Sequence, residues 1–337
     1  MLYLHGLGHF HPDNEITNRF LEELDIGTHE DWIMERVGIR SRRTVMPLDY
    51  IRETRNREPR EALAVADYSG PEMAARAARL AIRRAGIDAS EIGMVVSGCS
   101  APDTTAPAEA CNVARLLELE VPAFDVNSAC TSFFVGLHLL AGMRPESLSP
   151  YVLIVSPEGL SRTVDYSDRS AAVLWGDAAA AAVVSPCEVG PARILGSTVV
   201  SSPAGADKVV VPRLGHFQQE GRTVQMFAIR KTGELLERQR AAYADPEQRF
   251  HFVGHQANLR MLEAVCQRCE VPPERHHFNV DWYGNTGAAS AASVVSMNWD
   301  KWDRGDDVAV VGVGSGLTWS SYLMRFDAAP RKVEEIA

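Results

Sequence analysis

Cys130 lies where a short run rich in strand formers, Phe124-Asp125-Val126-Asn127, breaks into small polar residues before an apolar helical pattern at Phe133, Phe134, Leu137, Leu139 and Leu140. That is a strand, a tight turn and a helix start, with a thiol at or near the helix N-terminus. Free backbone N–H groups and the positive end of the helix dipole favour a thiolate there. A free cysteine is more commonly a small buried apolar group, so position alone leaves both readings open. Two further residues suited to chemistry follow at later strand ends. They are His255 in Gly254-His255-Gln256-Ala257-Asn258 and Asn285 in Tyr283-Gly284-Asn285-Thr286-Gly287.

The elements that must position these three come from the periodicity of the apolar residues. Strands are predicted at 2–8, 93–98, 123–127, 151–156 and 178–184, with helices at 72–85, 108–117 and 130–143. The pattern then restarts, with strands at 193–200, 251–253, 277–281, 307–313 and 320–326 and helices at 226–243, 257–269 and 286–298. Each half reads β-α-β-α-β-α-β-β, a duplication of order rather than of letters. The fold class is therefore α/β, with the boundary between the halves at 186/187: residues 1–186 carry the cysteine and 187–337 the histidine and asparagine. Two such halves pack as layers, and loops at strand carboxyl ends supply the site. Cys130, His255 and Asn285 fall at corresponding strand ends. Residues 14–24 are predicted helical and 31–40 a short helix that stops at Gly38, while 46–68 read as a surface excursion with room for a short helix.

Composition bounds the rest. A chain of 337 residues with 46% hydrophobic and 23% charged content has a substantial core. A net charge of −10 argues against non-specific nucleic-acid binding. No stretch approaches the ~20 apolar residues of a membrane span, and the first residues lack a signal-peptide layout, so a cytoplasmic location is expected. The six cysteines show no disulfide spacing, and Cys266-x-x-Cys269 is a lone pair inside a helical pattern. His5, His9 and His11 have no acidic or cysteine partner at ligand spacing and read as turn-flanking polarity, so no metal is expected.

The ordered set of motifs resembles the β-ketoacyl-acyl carrier protein synthase III family of the thiolase superfamily. Its marks are Asp31-Trp32-Ile33, Arg36 and Gly38-Ile39-Arg40; Pro122-Ala123-Phe124-Asp125-Val126 with Ala129-Cys130; Arg162-Thr163 with Asp168-Arg169; and Gly176-Asp177. His255-Gln256-Ala257-Asn258-Leu259-Arg260, Gly284-Asn285-Thr286, Ala288-Ala289-Ser290 and Gly314-Ser315-Gly316 with Thr318-Trp319 complete it. The resemblance implies a thiolase-like αβαβα arrangement of two duplicated halves. It implies that Cys130 accepts an acyl group from a thioester, with His255 and Asn285 stabilising an enolate for Claisen condensation with a malonyl or second β-ketoacyl thioester. It further implies an oxyanion hole from the Cys130 and Gly316 N–H groups. Trp32 and Arg162 would flank a coenzyme A adenine, with Arg36, Asn258 and Arg260 also at the substrate carrier. The implied partners are acyl-CoA and an acyl carrier protein, in a homodimer that neither enters membranes nor binds nucleic acid. CoA and phosphopantetheine thioesters are substrates, and no cofactor is held permanently.

The chain departs from that family in the polar flanks of Cys130, the long 46–68 excursion and the serine of Gly314-Ser315-Gly316. Ala106 stands where housekeeping members carry a bulky aromatic, so an acyl tunnel lined by Ala106, Phe133 and Phe227 is expected to take longer chains. The competing reading is an acyltransferase of the same fold that passes the acyl group to an alcohol or amine. Asn285 argues for condensation, because acyl transfer alone has no enolate to hold. A papain-like cysteine hydrolase fits the order Cys, His, Asn but lacks the local signature around the cysteine.

Overall fold

The structure is a computed structural model, and it describes residues 1–213 and 215–333. The expected second half, 187–337, thus ends four residues beyond the described chain. Nine strands form its main sheet: β1 Leu2–Phe10, β2 Ile92–Gly98, β3 Ala123–Val126, β4 Tyr151–Glu158, β5 Ala178–Ser185, β6 Ala192–Ser201, β7 Arg249–Gly254, β8 Asp306–Gly314 and β9 Thr318–Phe326. They lie side by side in the order β7-β8-β9-β6-β1-β5-β4-β2-β3. Read outward from the centre, β1-β5-β4-β2-β3 and β6-β9-β8-β7 follow one plan. The two meet through a short antiparallel contact of Leu2, Tyr3 and Leu4 with Ile194, Arg193 and Ala192.

Six helices complete the layers: α1 Gly70–Ala85, α2 Glu109–Leu116, α3 Ser132–Gly142, α4 Gly221–Tyr243, α5 Leu259–Arg268 and α6 Ser290–Met297. The helices that follow the third strand positions are apolar or small on nearly every side, as fully buried helices must be. Accordingly α3 packs on β2 and β4 and also on β6 and β9, while α6 touches β1 and β5 and also β7 and β8. Both lie between the halves. Helices α1 and α2 cover the outside of the first half, and α4, with α5 against it, covers the second. The result is the layered, thiolase-like αβαβα arrangement. Helix α1 begins earlier than its apolar pattern because Ser69 and Glu72 form a capping box, and it stops at Gly86 in the left-handed conformation.

Three local expectations are corrected. Residues 14–24 are not one helix: Asn14–Thr17 pairs with Ser41–Thr44 as a small ladder, and only Asn18–Glu23 is helical, its first turn capped by Thr17 Oγ1. Residues 277–281 do not form a strand. The Gln256 side-chain oxygen accepts the backbone N–H groups of Asn279 and Val280, so the ladder stops at a single Phe252–His276 bridge and Val280–Tyr283 turns helical. The 46–68 excursion is not merely surface. It holds two helices, Leu48–Thr54 and Pro59–Val65, and buries Ile51, Asn56 and Ala62 completely.

Candidate active site

The turn before Cys130 explains its polar flanks. Ala129 adopts φ +48°, a left-handed conformation that a β-carbon disfavours. Its backbone N–H donates to Asn127 Oδ1 at 3.0 Å, and its carbonyl accepts the Ser132 hydroxyl at 2.6 Å. Ser128 N–H donates to Ser132 Oγ, and the Ser128 and Thr131 hydroxyls pair at 2.9 Å. These four polar residues therefore hold a strained turn. The residues Ala129–Thr131 make one 3₁₀ turn that runs into α3, so Cys130 does stand at a helix start. The expected stabilisation of its thiolate is overturned by burial, which pushes the Cys130 thiol up to about 12, with the negative charge of Glu158 adding to the rise. The resting group is the neutral thiol.

His255 directly follows β7, and its backbone N–H donates to the Val311 carbonyl on β8. Its Nδ1 lies 2.9 Å from Ser290 Oγ at the start of α6. Ser290 Oγ also accepts the Gln256 N–H at 3.4 Å; in the tautomer where the serine hydroxyl donates to Nδ1, Nε2 carries the hydrogen. Burial lowers the imidazole to about 4, so it is a neutral donor across the physiological range. Asn285 is fixed the same way: its Oδ1 accepts the Gly287 N–H, leaving the amide hydrogens free to face outward from that contact. Its backbone pairs with Leu174 and Gly176 of the first half, joining the second half's loop to the Gly176-Asp177 motif. A Cβ on Gly176 would stand 2.1 Å from the Tyr283 carbonyl oxygen, so this crossing requires glycine.

Glu158 was not singled out from the sequence, and nothing in its apolar strand marks it. It is fully buried at the end of β4, where its Oε1 accepts from Ser100 N, Ser100 Oγ and Ala288 N. Burial pushes its carboxyl up to about 7 against the pull of those donors. The Glu158 carboxylate thus ties the loop after β2 to the turn that follows Asn285.

Cys130, His255 and Asn285 line one cavity of about 290 Å³. Trp32, Arg36 and Asn258 line its outer part, and Gly314 and Ser315 stand beside Cys130. A Cβ on Gly314 would lie 3.1 Å from the Cys130 backbone nitrogen, so glycine is what lets this loop approach. The expected oxyanion donor, Gly316, does not line the cavity, whereas Ser315 does, its hydroxyl donating to the Val209 carbonyl. Arg162 does not flank Trp32 either. It is buried and ion-paired with Asp103 at 2.6 Å, and Arg169 instead places its guanidinium 4.9 Å from the Trp32 ring centre. Asn258 caps α5, and Arg260 holds the Met34 carbonyl, fastening the Trp32 helix Glu30–Arg36 to α5.

The three tunnel residues are not brought together. Ala106 is on an exposed loop, Phe133 is buried between the sheets, and Phe227 packs edge-on against Trp319. Trp175 and Phe217, missed in the sequence for want of any periodic signal, supply the aromatic wall of the cavity. His9 and His11 are more than turn-flanking polarity: His9 bonds Ser296 Oγ, and His11 stacks on Tyr283 at 3.8 Å, next to the Asn285 loop. Among the described residues no cluster suited to a metal ion occurs.

A frame of two like halves, one delivering a thiol and the other two neutral donors into a shared cavity, is that of the thiolase-like condensing enzymes, which are acyltransferases. The family description 3-oxoacyl-[acyl-carrier-protein] synthase III matches residues 124–203, and its C-terminal counterpart matches 240–326. The β-ketoacyl-[acyl-carrier-protein] synthase III of Roseiflexus sp. (strain RS-1) is 32% identical, over 96% of this chain and 98% of its own length. That of Geobacillus kaustophilus is also 32% identical, over 95% and 97%. The crystal structure of the Aquifex aeolicus synthase superposes with a TM-score of 0.84 at 28% identity, covering 97% of this chain and all of the other (100%). The priming β-ketosynthase of the R1128 polyketide pathway gives 0.82 at 25%, covering 98% and 97%. The chain belongs to the β-ketoacyl-[acyl-carrier-protein] synthase III family and is a condensing enzyme.

Proposed function

We propose that Cys130 is the nucleophile that takes an acyl group from a CoA or acyl-carrier-protein thioester, and that His255 and Asn285 stabilise the enolate of the second step. The observation that carries this is the convergence on one cavity of a thiol and two neutral donors, each held by a partner on its other atom. In the first step the Cys130 sulfur bonds to the thioester carbonyl, the old carbon–sulfur bond breaks, and the thiol proton leaves with the departing carrier thiol. The carbonyl oxygen becomes an oxyanion beside the Cys130 N–H and the Gly314–Ser315 loop. In the second, a malonyl thioester loses carbon dioxide. The electron pair left behind becomes an enolate, which the His255 Nε2–H and the Asn285 amide receive. Its carbon bonds to the acyl carbonyl, the bond to sulfur breaks, and Cys130 departs as a thiolate that regains its proton from solvent. A carboxylate or charged base in place of His255 and Asn285 would oppose the enolate's charge; two neutral donors favour it.

The substrate carrier reaches Cys130 past Trp32, with Arg169 and Arg36 over that ring. An acidic carrier protein would meet the exposed arginines of this rim. The exposed edge of β3, with Phe124 40% exposed, suits pairing with a second copy, and the homodimer is part of this reading. In such a dimer Ala106 could meet an acyl chain only from the partner's side. Six free cysteines fit a reducing, cytoplasmic setting, and no helix among the described residues is long and apolar enough to cross a membrane. The product belongs to fatty-acid or polyketide-type synthesis. Intact-mass measurement after incubation with acyl-CoA and acyl-carrier donors, then product analysis with malonyl carrier protein, tests it. The expected result is an acyl adduct on Cys130 that malonyl carrier protein discharges as a β-ketoacyl product; discharge only as free acid or ester would refute condensation.

A further inference from the structure

The 46–68 excursion has a consequence at the cavity wall. Between its two helices Asn56 stands at φ +53°, fully buried. Its Nδ2 donates to the Arg162 and Val164 carbonyls, each at 2.8 Å. Its own carbonyl accepts His216 Nε2–H at 2.7 Å, and the next residue, Phe217, donates its N–H to the Thr163 carbonyl at 2.8 Å. One buried asparagine thus joins the excursion, the 162–164 segment and the loop of Phe217. Phe217 is 6% exposed and meets Trp175 edge-to-face with ring centres 4.6 Å apart. Both rings line the cavity and pack in the same buried apolar cluster as Cys130, Leu160 and Val164. The rim at Arg36 and Arg169 is exposed and charged, so the buried apolar wall of Trp175 and Phe217 is the part that suits a hydrocarbon.

Building on the acyl-Cys130 reading, we propose that Asn56 and His216 are positioning residues that set acyl-chain length by fixing Phe217 on the inner wall of the cavity. The excursion is then a length-selecting buttress. A wall held by two polar anchors cannot retreat for a longer chain, because each buried polar group released without a partner is costly. With the anchor cut, the ring is free to yield, and each additional methylene buried is worth about fourfold in preference.

The test offers an equimolar mixture of acetyl-, butyryl-, hexanoyl- and octanoyl-CoA to the full-length protein and reads the adducts on Cys130 by intact mass. Phe217→Ala should raise the octanoyl-to-acetyl ratio by tenfold or more. His216→Ala should move it in the same direction by about fourfold or more, and the double variant should move it no further than Phe217→Ala alone. Asn56→Ala should match His216→Ala; being part-buried rather than fully buried, His216 decides the matter alone if the asparagine variant does not fold. An unchanged ratio in His216→Ala, or shifts that multiply in the double variant, overturns the proposal. A general loss of stability lowers all adducts together and leaves their ratio where it was, which also counts against it. If the wild-type protein takes no adduct on Cys130 from any donor, the acyl-thioester reading itself falls, and this inference with it.

Discussion

The two halves share one strand plan and differ at their outer edges. In the first, β3 is a regular strand paired to β2, and no other strand among the described residues covers its far side. In the second, the matching segment is reduced to the Phe252–His276 bridge because Gln256 has taken the N–H groups a ladder would use. The first half ends in an open strand edge, while the second ends in β7, whose outer side carries that single bridge. The site residues they supply differ too: the first brings a neutral thiol beside a raised carboxyl, the second a neutral imidazole and an amide. On the function proposed above, this divides a duplicated frame into a half that would make the covalent bond and pair with a partner, and a half that would hold developing charge.

The harshest test of this division is Cys130→Ala. It should abolish the acyl adduct altogether while the fold persists, because the strained turn is held by Asn127, Ser128 and Ser132 rather than by the sulfur. An adduct surviving on that variant, read by intact mass, would move the nucleophile elsewhere. Next, His255→Ala or Asn285→Ala should cost condensation about 10²–10³-fold, the usual loss for one such donor, and self-acylation much less. If both half-reactions fall equally, the second half is serving the thiol rather than the enolate.

Titration separates the halves by the sign of their slopes. His255 has a folded value of about 4, below the ordinary 6.5, so the unfolded chain binds a proton that the folded one excludes. Its contribution to stability is complete above pH 6.5 and is lost as pH falls towards 4. Glu158 runs the other way: raised from 4.5 to about 7, it contributes fully below pH 4.5 and loses its contribution as pH rises through 7. In urea midpoints measured against pH, His255→Gln should flatten the acid limb and Glu158→Gln the neutral one. The Glu158→Gln variant should also make Cys130 alkylate faster at a given pH, since one cause of the raised thiol is removed.

Much of this was legible in the sequence, for a physical reason. Strand and helix periods, the Gly86 stop and the repeated order follow from burial patterns that span many residues, and so do the strand-end positions of Cys130 and His255; Asn285 follows a short helix instead of the expected strand. What was illegible depends on single side chains acting at a distance. Gln256 reads as one polar residue, yet it cancels a strand; Asn56 lies in a charged stretch, yet it is buried. The thiolate argument failed because helix position is local whereas desolvation is set by everything packed around Cys130. Two motif residues of like type, Arg162 and Arg169, cannot be told apart by spacing when one turns inward to Asp103.

The exposed edge gives a weaker effect, on assembly. Phe124→Lys should halve the mass seen by sedimentation, since a lysine on an edge strand opposes pairing. Leaving the mass unchanged would put any dimer contact elsewhere.

The smallest effect separates those two arginines. Arg169 is exposed, 4.9 Å from the Trp32 ring centre, while Arg162 makes a buried pair with Asp103. An exposed cation–π contact is worth about 0.5–1 kcal/mol, which is roughly a two- to fivefold change in an equilibrium. Arg169→Ala should therefore raise KM for an acyl-CoA donor two- to fivefold with kcat and thermal stability little changed. Arg162→Ala should do the reverse, lowering the melting temperature by stranding the Asp103 carboxylate and leaving KM near its original value in whatever protein stays folded. Should Arg162→Ala alone raise KM while the fold holds, the arginine at the carrier is the inner one, and the rim of the cavity must rearrange when substrate binds.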